Sequence, residues 1–86
     1  MKIYDFHGKN NISGERIRQA RVTQKITQAD LAARLQIEGV QIERNSISKI
    51  ESGDRFGADY ELKTIAKMLK VSVDWLLGEG GREPDK

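Results

Sequence analysis

Arg44-Asn45-Ser46-Ile47-Ser48-Lys49-Ile50-Glu51-Ser52-Gly53 is the stretch on which the reading of this chain turns. At helical period Ile47, Ile50 and Glu51 share one face, spaced i, i+3, i+4. Arg44, Asn45, Ser46, Ser48 and Lys49 are left on the other. That outward face carries donors and short polar groups and no carboxylate. A guanidinium can take the edge of guanine with two hydrogen bonds, and a carboxamide can do the same for adenine. A short helix anchored by two isoleucines and showing these side chains has the chemistry of a major-groove reader. The same pattern also describes an ordinary solvated helix, so the rest of the chain has to decide.

Composition narrows the choice. The chain has 86 residues, a length for one domain, with one His, no Cys and a net charge of +2. Without cysteine there is no disulfide, no thiol nucleophile and none of the usual structural zinc arrangements. His7 alone supplies neither a metal cluster nor a dyad. The balance is only mildly basic, so the placement of charge has to carry any argument for nucleic acid. No apolar run approaches the roughly 18 residues of a membrane span, and Met1-Lys2 is not followed by a secretory segment. A soluble, cytoplasmic protein with no cofactor and no metal is expected.

Read outward from the Arg44 stretch, the periodicity predicts five short helices. Gly14 to Gln24 is one, with Ser13 as its N-cap, Glu15 in its first turn and Ile17, Ala20 and Arg21 on one face. Arg21 thus lies on the apolar stripe, where a charge requires a partner. Thr27-Gln28-Ala29-Asp30 opens a second helix as a capping box and runs to Gln36, with Leu31, Ala32 and Leu35 inward. Residues 37–43 connect it to the Arg44 helix, and Ile37, Val40 and Ile42 are expected to pack down. Gly53 ends the Arg44 helix. Asp59 is read as the cap of a fourth helix bearing Leu62, Ile65, Ala66 and Leu69. Val71 is read as buried, and Ser72 caps a brief fifth helix holding Val73, Trp75, Leu76 and Leu77. Residues 1–11 read as an N-terminal arm containing Ile3, Tyr4 and Phe6, either packed or disordered. Residues 12–78 form the domain, and residues 79–86 a flexible tail closed off by Gly78, Gly80 and Gly81.

Five segments in this order resemble the phage repressor/Cro-type helix-turn-helix family, also called the XRE family. They are Ile-Arg-Gln-Ala-Arg at 17–21, Thr-Gln-Ala-Asp-Leu-Ala at 27–32, Ser-Ile-Ser-Lys-Ile-Glu-Ser-Gly at 46–53, Leu-Lys-Thr-Ile-Ala-Lys-Met-Leu at 62–69 and Val-Ser-Val-Asp-Trp-Leu-Leu at 71–77. The resemblance implies an all-α, five-helix, lambda-repressor-like fold with helices two and three as the motif. It further implies base contacts at Arg44, Asn45 and Lys49, and phosphate contacts at Gln28, Ser46, Ser48 and Arg55. Arg21 and Glu51, both on inward faces, match a pair that often forms an ion pair in this family. Three departures stand out. The link of residues 37–43 is longer than the usual turn of 3–4 residues. Gln36 and Lys70 stand where the family often has glycine, so they either adopt a left-handed conformation or let their helices run on. Asp54 and Asp59 fall near the expected DNA backbone and oppose it.

The function implied is a sequence-specific double-stranded DNA-binding transcriptional regulator, of repressor type, encoded by a bacterium or phage and acting as a homodimer. The dimer contact is expected in helix five through Trp75 and Leu76, in the apolar residues of the link, or in the Ile3-Tyr4-Phe6 arm. The rival reading is a protein-interaction module of the same fold, such as an antitoxin or an antirepressor partner. An enzyme is not expected. The chain has no glycine-rich phosphate loop, and Glu51-Ser52-Gly53 is no nucleophile elbow because Ile50 stands where that turn needs glycine.

Overall fold

A computed structural model describes residues 8–79. Five α-helices follow one another: α1 Gly14–Thr23, α2 Gln28–Ile37, α3 Arg44–Ser52, α4 Asp59–Leu69 and α5 Val73–Leu76. The fold is all-α, and no extended strand occurs among the described residues. The apolar stripes of all five helices meet in one core. Ile17, Leu31, Leu35, Ile47, Ile50, Ile65, Leu69 and Leu76 are its large, fully buried members. The residues sketched at 1–7 and 80–86, including Ile3, Tyr4, Phe6, His7, Gly80 and Gly81, lie outside the described residues.

The helix ends show which local signals prevail. Thr27 caps α2 as expected: its Oγ1 accepts the Asp30 N–H at 3.0 Å, and the Asp30 carboxylate accepts the Thr27 N–H at 3.3 Å. Ser72 caps α5 through the Trp75 N–H at 3.0 Å. Two assignments need correction. The Ser13 side chain makes no capping bond, and its hydroxyl is buried without a partner. Ser13 is itself in helical backbone geometry, so the Asn11 side chain supplies the cap and accepts the Gly14 N–H at 2.8 Å. At α4 the N-cap is Ala58, and Asp59 is already helical. Glu61 reaches back to accept the Ala58 N–H at 2.9 Å, so the third helical residue satisfies the end that a polar cap would otherwise serve.

The glycine-less positions divide. Lys70 adopts a left-handed backbone, φ 59°, where glycine is usual. Gln36 stays helical because α2 runs on to Ile37, and its carboxamide donates to the Ile42 carbonyl at 2.8 Å. That bond folds the link back on α2. Val40 and Ile42 of the link are buried as expected, but Ile37 is 82 % exposed. At the last residue of α2 its side chain is carried off the buried Leu31–Leu35 stripe, so the link packs through its second half alone. Lys67 of α4 and Glu38 hold the start of the link by an exposed ion pair of 2.7 Å.

Helix α1 crosses α3 at very close range. A Cβ at Gly14 would lie 2.3 Å from the Ile50 carbonyl oxygen and 2.8 Å from that of Glu51. Both obstacles are backbone and cannot swing aside. In an unobstructed helix, Gly→Ala stabilises by up to about 1 kcal/mol. Here the sign should reverse: Gly14→Ala is expected to destabilise by about 1–3 kcal/mol, as overpacking does. A urea unfolding midpoint that falls with unchanged slope would show it.

Candidate nucleic-acid interface

Helix α3 turns Ile47, Ile50 and Glu51 into the protein. Arg44, Asn45, Ser48 and Lys49 are exposed, and Ser46 is half-buried. No side chain of this outward group makes a hydrogen bond or ion pair within the described residues. The donor capacity of this exposed face is therefore not used by the described residues. Glu43, the N-cap, is exposed and is the nearest carboxylate along the chain. It makes no side-chain capping bond.

One buried carboxylate ties α3 to the two helices before it. Glu51 accepts the Arg21 Nε–H at 2.7 Å through one oxygen and the Arg21 terminal N–H at 3.0 Å through the other. The two side chains are 12 % and 3 % exposed. Arg21 also donates to the Ile26 carbonyl at 2.9 Å in the turn between α1 and α2. Its hydrogen bond to Glu51 raises the guanidinium pKa against the opposing effect of burial. The second oxygen of Glu51 then takes a third bond, from the Gln28 carboxamide at 3.1 Å. Three elements converge on one carboxylate: the end of α1, the start of α2 and the last turn of α3.

Gln28 is thereby fixed at the first residue of α2, half-buried, with its carboxamide oxygen and one N–H uncommitted. The first-turn N–H groups of a helix lack intrahelical acceptors, so this end of α2 offers donors and positive potential to an anion. Arg55 is placed differently from the other cations. Its fork meets Glu61 in two bonds of 3.0 Å, and it also donates to the Phe56 carbonyl at 3.2 Å. Burial alone would push the Glu61 carboxyl up; the hydrogen bonds from Arg55 and the Ala58 N–H, with the Arg55 charge, outweigh it and hold it below its ordinary value. The Arg55 side chain remains 35 % exposed. The Asp54 carboxylate accepts the Ser52 hydroxyl at 3.0 Å, and Asp59 is exposed. Among the described residues no cluster of three or more His, Asp or Glu side chains is placed to hold a metal ion.

Residues outside the sequence reading contribute as well. Asn10 and Asn11 bond to the end of α3, Gln24 donates to the Leu69 carbonyl at 2.5 Å, and Arg16 lies 4.7 Å from the Trp75 ring centre. Asn11 was accessible in principle, since Asn three residues before a helical N–H is a favoured cap. Gln24 and Arg16 carried no such signal.

A family model described as a helix-turn-helix domain matches residues 14–79. The crystal structure of the P22 c2 repressor protein, in complex with synthetic operator 9T in the presence of Tl+, superposes with a TM-score of 0.69 at 30 % identity. The match covers 81 % of this chain and 98 % of that one. The chain belongs to the phage-repressor type of helix-turn-helix domain. No curated protein matches it. Within this helix-turn-helix domain α2 and α3 are the motif, and residues 38–43 are its lengthened turn.

The carboxylate hub predicts a non-additive pattern. Glu51→Ala leaves the Arg21 charge buried and unpaired, with an expected loss of about 3–5 kcal/mol in chemical denaturation. Replacing both partners by leucine or methionine should cost less than either single truncation, because no charge is then stranded.

Proposed function

We propose that this protein is a cytoplasmic, sequence-specific double-stranded DNA-binding regulator of repressor type. In this reading α3 enters the major groove, Arg44, Asn45 and Lys49 meet base edges, and Gln28, Ser46, Ser48 and Arg55 meet phosphates. The observation that carries the proposal is the common placement of Gln28 and α3 on one carboxylate. It ties the anion-attracting end of α2 to the helix whose outward side chains are unsatisfied. Phosphate contacts set register and base contacts set sequence. Gln28 is suited to the first role because its carboxamide is already immobilised. Arg55 is the weakest member of the set, since Glu61 already neutralises its charge; it would act through the exposed part of its guanidinium.

A repressor of this kind reads a few base pairs per recognition helix and gains specificity by pairing half-sites, so we propose a homodimer. Trp75 and Leu76 are not available for its interface: they are 4 % and 0 % exposed, packed into their own core. Val40 and Ile42 are buried likewise. Among the described residues, the large apolar side chains exposed for a contact are Leu77, Val22 and Ile37, together with Ile12, Phe56 and Tyr60.

Selection of bound duplexes from a random pool tests the proposal and shows whether the site is palindromic. Affinity for a selected duplex should fall with salt at a log–log slope of roughly −0.9 per phosphate contacted. Arg44→Ala should cost about 1–3 kcal/mol and relax preference at one base position, whereas Gln28→Ala should weaken all sequences alike. No enrichment of any duplex, or two variants indistinguishable from the parent, would overturn the assignment.

A further inference from the structure

A helix leaves its last carbonyls without intrahelical donors. In α3 part of this need is met locally. Gly53, at φ +89°, donates to the Ile50 carbonyl at 3.1 Å, and the Asp54 N–H donates to the Lys49 carbonyl at 2.8 Å. The helix is therefore already terminated by its own chain. Yet a second set of donors arrives from some forty residues upstream. The Asn10 N–H donates to the Gly53 carbonyl at 2.8 Å, and its carboxamide to the Asp54 carbonyl at 2.9 Å. The Asn11 carboxamide donates to Ile50 at 2.9 Å and to Arg55 at 2.7 Å. Its oxygen takes the Gly14 N–H at 2.8 Å. A primary amide has two donor hydrogens, so both of those on Asn11 are committed to this one place. The aliphatic stem of Lys9 lies over Gly53, where an added Cβ would meet it at 2.9 Å.

We propose that Asn10 and Asn11 are positioning residues for the DNA contact: a strap of amide donors that fixes the tilt of α3 against α1. The inference rests on the DNA-binding reading above. The strap is redundant as a helix terminator, and every carbonyl it holds belongs to the end of α3 or the three residues after it. Glu51, the other tether of α3, is in the same last turn. Both anchors thus sit at one end, and Arg44 and Asn45 project from the other. Nine residues at 1.5 Å each make α3 about 13 Å long, so a tilt of about 10° at the strap would carry Arg44 by about 2 Å. A displacement of that size breaks a bidentate base contact. The strap acts on DNA only through α3 and touches no base.

Asn11→Asp separates this role from simple capping. A carboxylate still accepts the Gly14 N–H but has no hydrogens for Ile50 and Arg55, and it faces their carbonyl oxygens. Asn10→Ala is the milder second variant. Ile65→Val serves as a destabilised control away from the strap. All are examined at a temperature where circular dichroism shows them fully folded. Residual dipolar couplings of the α1 and α3 amides in the DNA-free protein should report a changed inter-helix orientation for Asn11→Asp, a smaller change for Asn10→Ala and none for Ile65→Val. Discrimination between a selected duplex and one altered at a base pair should fall about tenfold for Asn11→Asp, the scale of one lost base contact, and stay at the parent level for Ile65→Val. An unchanged helix orientation in Asn11→Asp, or unchanged discrimination despite lower stability, overturns the proposal. If the parent protein selects no duplex, the DNA reading fails, and the couplings alone still decide whether the strap sets the tilt.

Discussion

A carboxylate buried among apolar side chains has to be paired, and in this protein that requirement organises the motif. Glu51 takes two hydrogen bonds from Arg21 and one from Gln28. Removing it would strand a guanidinium; removing the guanidinium would strand it. Such a pair contributes little net stability relative to apolar replacements, but it is intolerant of geometry. An isoleucine in its place would accept many orientations of α3. A bidentate carboxylate accepts few. The hub thus gives an amphipathic helix an outward face that points in a defined direction.

The remaining structure serves the same end by different means. Gly14 lets α1 and α3 approach until backbone meets backbone. Asn11 bridges that same contact, accepting from the Gly14 N–H and donating to the Ile50 carbonyl, and Asn10 donates to the Asp54 carbonyl just beyond α3. Glu61 and Arg55 stiffen the loop that follows. The lengthened turn is held at both ends, by Gln36 on the Ile42 carbonyl and by Lys67 on Glu38. A ten-residue helix is about 15 Å long, so the tip of that turn, at the C-terminal end of α2, is far from Gln28 at the other end. The longer turn thus extends the motif on the side away from Gln28.

The fold was largely legible because its signals are local and periodic. The stripes of α1 to α5 and the caps at Thr27 and Ser72 all follow from residues within one or two turns of each other. The errors have a common cause, which is competition between neighbours. Asn11 displaced Ser13 as a cap because Ser13 is itself helical, and Glu61 served the start of α4 from inside the helix. Ile37 points outward because α2 runs two residues past Leu35, the last member of its buried stripe. For the site, the outward face of α3 could be read from i, i+3, i+4 spacing alone, and its exposure agrees. The Asn10 and Asn11 bonds could not be read, since they join positions about forty apart and carry no periodic signature. Arg55 illustrates the opposite limit: a resemblance assigned it to phosphate, but only coordinates reveal that Glu61 holds its fork.

A hub that aims α3 at DNA has to stay closed while the outward face of the helix meets a duplex. Mapping amide and arginine side-chain NMR shifts as a selected duplex is added tests this most directly. Shifts concentrated at Gln28 and at Arg44, Asn45, Ser48 and Lys49 are expected, with the Arg21 Nε–H resonance retained near its position in the DNA-free protein. Shifts centred instead on Ile37, Glu38 and the exposed face of α4, with the α3 face silent, would contradict it.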